Sequence, residues 1–210
     1  MFDVIGQTVK AFSQIRLDPW CHLGDVLLVG EGNLSFAKSL LSIPASQITH
    51  MTATTYEKPR MLSDETVMHA QVLQRCGVNV MHGVDATKLN EALPREKFDT
   101  IIFQFPNVGS REAKYGRNPN YVLVRKFLRS AKECLKPNGK VLITAVDSPH
   151  YEGVFQFDEA AEFADFNAPE SYPFDPSLFS GYAHTNTNDD NSALEEHNKF
   201  VTWVFKAKDA

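Results

Sequence analysis

Asp25-Val26-Leu27-Leu28-Val29-Gly30-Glu31-Gly32-Asn33-Leu34-Ser35-Phe36 reads as an apolar strand that ends in a Gly-x-Gly turn and opens a helix. In an α/β sheet this is where nucleotide pockets form. Glycines let the chain turn tightly and bring a ligand close to the backbone, and the first turn of the helix carries amides without intrahelical partners. The spacing argues against a dinucleotide. Ser35 stands where Gly-x-Gly-x-x-Gly would place its third glycine, and Glu31 sets a carboxylate where a pyrophosphate would be repelled. A nucleoside ligand without phosphates is expected, and S-adenosylmethionine (SAM) fits that description.

Outward from this turn the chain alternates between strand and helix. Strands are expected over 25–30, 48–56, 78–82, 99–105 and 139–146, with helices over 35–43, 60–76 and 120–135 and a turn at Pro137-Asn138-Gly139. This alternation predicts an α/β, three-layer, doubly wound and mostly parallel sheet. Beyond residue 150 the sequence becomes rich in Phe, Pro and Asp, with a helix expected near 155–165 and a closing strand over 199–206. The polar stretch 183–198 reads as a loop before that strand. Upstream, Phe2, Ile5, Val9, Phe12 and Ile15 share one helical face. The expected organisation is an N-terminal helical segment over 1–24, which could also serve as a lid, and a ligand-binding domain over 25–210.

Composition narrows the functional classes. The 210 residues carry 21 Lys and Arg against 26 Asp and Glu, a net charge of −5, so the chain as a whole lacks the basic field that drives nucleic-acid binding. Cys21, Cys76 and Cys134 are far apart and odd in number, without zinc-type spacing; no metal is expected, and the thiols suit a reducing compartment. No run approaches the roughly 20 apolar residues of a membrane span. The chain reads as soluble and cytoplasmic, with no membrane partner.

In a doubly wound sheet, ligands sit beyond the carboxyl ends of the strands. Four such ends carry chemistry here. The first is Gly30-Glu31-Gly32-Asn33. The second is Thr54-Thr55-Tyr56-Glu57, where an acidic side chain is placed to accept the hydroxyls of a ribose. The third is Gly83-Val84-Asp85-Ala86-Thr87, where Asp85 could accept an adenine amine or cap the next helix, and the Ala86 amide could donate to a ring nitrogen. The fourth, Gln104-Phe105-Pro106-Asn107, leaves a buried strand with polar groups aimed at the reacting centre, stiffened by a proline. Arg111, Lys114, Arg117, Arg125, Lys126, Arg129 and Lys132 gather charge after it; interleaved Tyr115 could stack on a flat substrate, although Arg125, Arg129 and Lys132 also fit the solvated face of a helix. His150, Tyr151 and His184 are further pocket candidates.

On Val29-Gly30-Glu31-Gly32-Asn33-Leu34-Ser35-Phe36, Gly83-Val84-Asp85-Ala86-Thr87-Lys88-Leu89 and Phe98-Asp99-Thr100-Ile101-Ile102-Phe103-Gln104-Phe105-Pro106-Asn107-Val108-Gly109, the chain resembles the Rossmann-fold family typified by the yeast large-subunit ribosomal RNA (uridine-N3) methyltransferase. Asn120 before Phe127-Leu128-Arg129-Ser130-Ala131, and Pro173-Phe174-Asp175-Pro176 followed by Gly181-Tyr182-x-His184, extend the resemblance over residues 25–205. It implies a class I methyltransferase that binds SAM through Gly30, Glu31, Gly32, Asn33, Glu57, Asp85 and Ala86, with Ser35 and Tyr56 beside them. It also implies a uridine acceptor in rRNA, with Gln104, Phe105, Pro106 and Asn107 at the catalytic exit and Tyr115, Tyr182 and His184 toward the substrate.

The chain departs from that pattern on its acceptor side. Gln104-Phe105-Pro106-Asn107 replaces Asn-Phe-Pro-His, Val146 replaces a lysine, and Thr185-Asn186 replace two arginines after His184. Each lost cation is one that could pair with phosphate or stack on a base. Three readings follow: a methyltransferase acting on RNA; an enzyme of the same fold acting on a small molecule, including SAM itself with release of methylthioadenosine; and a SAM-binding module without turnover.

Overall fold

The computed structural model describes residues 18–110, 112–148, 153–184 and 199–208. The element order is β1 (Gly24–Val29), α1 (Ser35–Leu41), β2 (Ile48–Thr55), α2 (Asp64–Arg75), β3 (Asn79–His82), α3 (Leu89–Ala92), β4 (Phe98–Gln104), α4 (Pro119–Lys132), β5 (Leu135–Val146), α5 (Phe157–Phe163), β6 (Glu170–Pro173) and β7 (Phe200–Lys206). The strands form one sheet in the order β3-β2-β1-β4-β5-β7-β6. β1 pairs in parallel with β2 and β4, and only β7 runs antiparallel to its neighbours β5 and β6. The doubly wound, mostly parallel α/β sheet expected from the alternation is therefore the fold, with its reversed strand at the C-terminal end.

β1 shows why the layers form. Its side chains alternate between faces, and both faces are apolar, as a strand covered on each side requires. Leu27 and Val29 join Ile101, Phe103 and the Val124, Phe127 and Leu128 ridge of α4 on one face. Val26 and Leu28 join Ile102 with Phe36 and Leu40 of α1 on the other. Trp20 is buried in this second core, edge-on to Phe36, Phe174 and Phe179. Of the helical segment expected over 1–24, residues 1–17 lie outside the described residues, and 18–23 form no helix.

Four details differ from the expected boundaries. The helix expected from residue 60 starts at Asp64, because Ser63 accepts the Thr66 amide at 3.1 Å and Pro59 opens a separate short 3-10 turn. β5 begins at Leu135, ahead of the expected 139, because Phe98 pairs with Leu135 across a register shift that absorbs the Pro137-Gly139 turn. The one-turn helix α3 was not expected, nor was β6. β6 is four residues at the sheet edge, where Pro173 needs no ladder donor. Among the described residues no helix is long and apolar enough to cross a membrane, and no group of three or more potential ligands could hold a metal.

Candidate functional site

β1 and β4 are neighbours at the centre of the sheet, and their carboxyl ends open into a cavity of about 630 Å³. Gly30, Glu31, Gly32 and Asn33 line one part of it. Gly30 adopts φ +66°, and a Cβ there would stand 2.6 Å from Cε2 of Phe103, so the turn needs a residue without a side chain. α2 braces the turn from behind. Thr66 Oγ1 donates to the Gly32 carbonyl at 3.4 Å, His69 Nδ1 donates to the Asn33 carbonyl at 2.7 Å, and Lys38 Nζ donates to His69 Nε2 at 3.0 Å.

Two first-turn amides of α1, those of Ser35 and Ala37, have partners within the turn itself. Asn33 Oδ1 accepts from the Ser35 amide at 3.1 Å, and Glu31 Oε2 accepts from the Ala37 amide at 3.1 Å. Leu34, in the helix-capping position at φ 62°, offers no side-chain cap, so these two side chains do that work. The expectation that the first turn presents its amides to a ligand is corrected for Ser35 and Ala37, whose amides are occupied within the turn. Glu31 is 5 % exposed, and burial pushes its carboxyl up to about 7, opposed by the Ala37 hydrogen bond.

The β2 and β3 exits form the adjoining wall. Tyr56 lines the cavity while remaining 62 % exposed. Glu57 does not line it, but its Oε2 is buried without a hydrogen-bond partner among the described residues, and its carbonyl accepts the Gly83 amide at 2.9 Å. Asp85 and Ala86 both line the cavity. Asp85 is also the helix cap that its position allowed, accepting the Thr87 amide at 2.8 Å and the Thr87 hydroxyl at 2.7 Å on Oδ1.

At the β4 exit the four predicted residues divide. Gln104 is 7 % exposed and lines the cavity, and neither its Nε2 nor its Oε1 has a partner among the described residues. Phe105 takes φ 47° and packs its ring against Phe174, Phe200 and His184. Pro106 is buried but does not reach the cavity. Asn107 lines the cavity and spends its Oδ1 on the Gly109 amide at 2.9 Å, which tightens the loop. Tyr182 and His184 close the opposite side. Burial, reinforced by the Glu31 charge, holds the Tyr182 phenol well above its ordinary range.

Ser35, Glu57, Pro106 and Tyr115 thus stand outside the cavity lining. Tyr115 is 76 % exposed beyond the rim, with Lys126 Nζ 5.9 Å from its ring centroid. Lys114 and Lys126 bring cations to the cavity lining at its rim, and Glu112 is in the lining too. Arg125 covers the rings of Tyr121 and Phe163, so it is less solvated than a helix face alone suggests. His150 and Tyr151 lie outside the described residues. Sequence reasoning missed Pro119, Val122 and Leu123, which supply the apolar floor beneath the rim. The apolar stripe of α4 was legible, but which of its turns meets the β4 exit depends on the crossing of helix and sheet.

The BMT5-like family model, described as rRNA (uridine-N3-)-methyltransferase BTM5-like, matches residues 27–186. The human ferredoxin-fold anticodon-binding domain-containing protein 1 is 33 % identical over 174 residues, covering 76 % of this chain and 27 % of the relative. An uncharacterised Arabidopsis thaliana protein, At4g26485, is 36 % identical over 131 residues, covering 57 % of this chain and 61 % of the relative. The chain therefore spans about a quarter and about three-fifths of these two curated relatives. Among solved structures, the N-methyltransferase NodS from Bradyrhizobium japonicum superposes with a TM-score of 0.55 at 12 % identity, over 97 % of this chain and 96 % of that one. The sheet is the class I methyltransferase sheet, and the chain belongs to the BMT5-like family.

Proposed function

We propose that this chain is a SAM-dependent methyltransferase whose acceptor is N3 of a uridine in RNA. One observation carries the reading: a single cavity joins the Gly30–Asn33 turn and Asp85–Ala86 to Gln104, Asn107 and a lysine-bearing rim. The residues fit SAM. The Ser35 and Ala37 amides of α1 are satisfied internally, which suits a ligand without phosphates, and the Asp85 carboxylate lines the same cavity as an acceptor for a polar nucleoside group. Gly30, Glu31, Gly32, Asn33, Asp85 and Ala86 would hold it. When bound, SAM supplies a methyl group on a sulfonium that needs no acid or base to activate it.

The rest of the chemistry falls to the protein. Gln104 and Asn107 orient a flat acceptor by donating from their amide nitrogens to the carbonyl oxygens that flank N3, and the buried walls exclude water from the line of transfer. A uridine N3 must also lose its proton, and a carboxamide cannot take it. Glu31 lines the same cavity and burial raises its carboxyl to about 7, which makes it the cavity carboxylate matched to receive that proton near neutral pH. Lys114 and Lys126 at the rim would pair with the phosphates that flank the acceptor.

The test is incubation of the purified protein with SAM and uridine-containing RNA, followed by nucleoside mass spectrometry. 3-Methyluridine is the expected product. Methylthioadenosine released from SAM without RNA would replace transfer by SAM cleavage, and SAM binding without either product would leave a binding module.

A further inference from the structure

Ser35 is 1 % exposed, and its hydroxyl turns away from the cavity toward a residue 148 positions later. Ser35 Oγ donates to the Ala183 carbonyl at 2.9 Å and accepts from the Ala183 amide at 3.1 Å. Asn33 Nδ2 donates to the same carbonyl at 3.0 Å. Both polar backbone groups of Ala183 are therefore held by the turn after β1, although Ala183 itself is exposed.

The two neighbours of Ala183 are the residues that close the cavity. Tyr182 packs edge-on against Phe36 with centroids 5.0 Å apart, and His184 packs on Phe105 at 4.7 Å. The Tyr182 hydroxyl lies 3.4 Å from His184 Nδ1. One side of the segment thus rests on α1 and the other on the β4 exit, with Ala183 fastened between them. An exposed backbone has water as an alternative partner, so these bonds decide where the segment sits more than how stable the domain is.

We propose that Ser35 is a positioning residue: by clamping Ala183 it sets Tyr182 and His184 as the acceptor-side wall of the cavity. The acceptor part of this assignment rests on the methyltransferase reading above; the clamp does not. Ser35 acts through Ala183 and does not line the cavity, which separates it from Gly30, Gly32 and Asn33 of the same turn.

The test compares wild type, Ser35→Ala, Ser35→Thr and Asn33→Asp. Loss of the paired hydrogen bonds in Ser35→Ala is expected to speed exchange of the Ala183 amide about tenfold and to move the His184 ring resonances away from their Phe105-stacked shifts. Ser35→Thr keeps the hydroxyl and should retain both signals. Asn33→Asp keeps Oδ1 for the Ser35 amide but sets a carboxylate oxygen against the Ala183 carbonyl in place of the Nδ2 donor, and this repulsion should move the Ala183 exchange and the His184 resonances in the same direction as Ser35→Ala. In Ser35→Ala the SAM Kd should stay within about twofold while KM for the RNA acceptor rises about fivefold or more, for loss of about one hydrogen bond's worth of positioning. Unchanged Ala183 exchange and His184 resonances in Ser35→Ala overturn the clamp, and so does a loss of SAM affinity as large as the rise in KM. If wild type methylates no RNA, the functional reading fails, while exchange, ring resonances and SAM affinity still decide the clamp.

Discussion

The Ala37 amide donates to Oε2 of Glu31 at 3.1 Å, so the acidic residue of the glycine turn is bound to the helix that the turn opens. The carboxyl caps α1 from inside the core, and that burial raises its proton affinity. One side chain thereby shapes the turn, excludes a phosphate and carries a group that titrates near neutrality.

Glu31→Gln should stabilise the protein in a pH-dependent way. The folded carboxyl is raised from 4.5 to about 7, so the folded state holds its proton after the unfolded chain has released it. Stability is complete below about pH 4.5, declines as pH rises to about 7, and is level above that. Glutamine keeps an acceptor for Ala37 and has no charge to bury. Urea unfolding at pH 8 should show Glu31→Gln more stable by up to about 3 kcal/mol, with the difference shrinking toward zero by pH 5. The same variant should lower kcat for a uridine acceptor, since it cannot take a proton.

Gly30→Ala should damage binding more than folding. A Cβ in this left-handed conformation meets the Phe103 ring, which the sheet holds in place. A destabilisation of about 1–3 kcal/mol is expected from strain and contact together. Calorimetry with SAM should show a larger fractional loss, because the turn must shift to relieve the contact.

Asp85→Ala removes two functions at once. Loss of the Thr87 cap should cost about 1 kcal/mol in urea unfolding. Loss of a charged acceptor in the cavity should weaken SAM by about 1.5–3 kcal/mol, or roughly ten- to a hundredfold. The rise in Tm that saturating SAM produces should shrink accordingly, and NAD should produce none in either protein.

Lys136→Met probes the far end of the sheet and serves as a control. Lys136 pairs with Asp25 and Asp99, and those hydrogen bonds hold both carboxyls below their ordinary value; His50 adds to the effect on Asp25, and the Asp25 amide is the larger cause at Asp99. A lowered carboxyl pKa contributes stability above the unfolded value of 3.8, which is lost as pH falls through the folded value. The acid-unfolding midpoint should therefore move upward in Lys136→Met, with SAM affinity unchanged.

Much of the site was legible because it is local. The apolar run 25–29, the Gly30-Glu31-Gly32-Asn33 turn and the Val84-Asp85-Ala86 exit are contiguous stretches in which residue type and spacing dictate strand, turn and helix, and hence that the strand ends meet at one edge of a parallel sheet. The alternation of strands and helices likewise determined the fold class and the place of the pocket. Tertiary structure alone decided how each side chain is used. Ser35 turns to Ala183 and stays out of the cavity lining, Glu57 is absent from the lining that Tyr56 joins, and Asn107 turns back on Gly109 while the Gln104 amide has no partner among the described residues. The physical reason is that a polar side chain's role is set by the partners within hydrogen-bonding reach. For Ser35 that partner lies 148 residues away, brought close only because the segment that follows β6 comes back to the turn after β1.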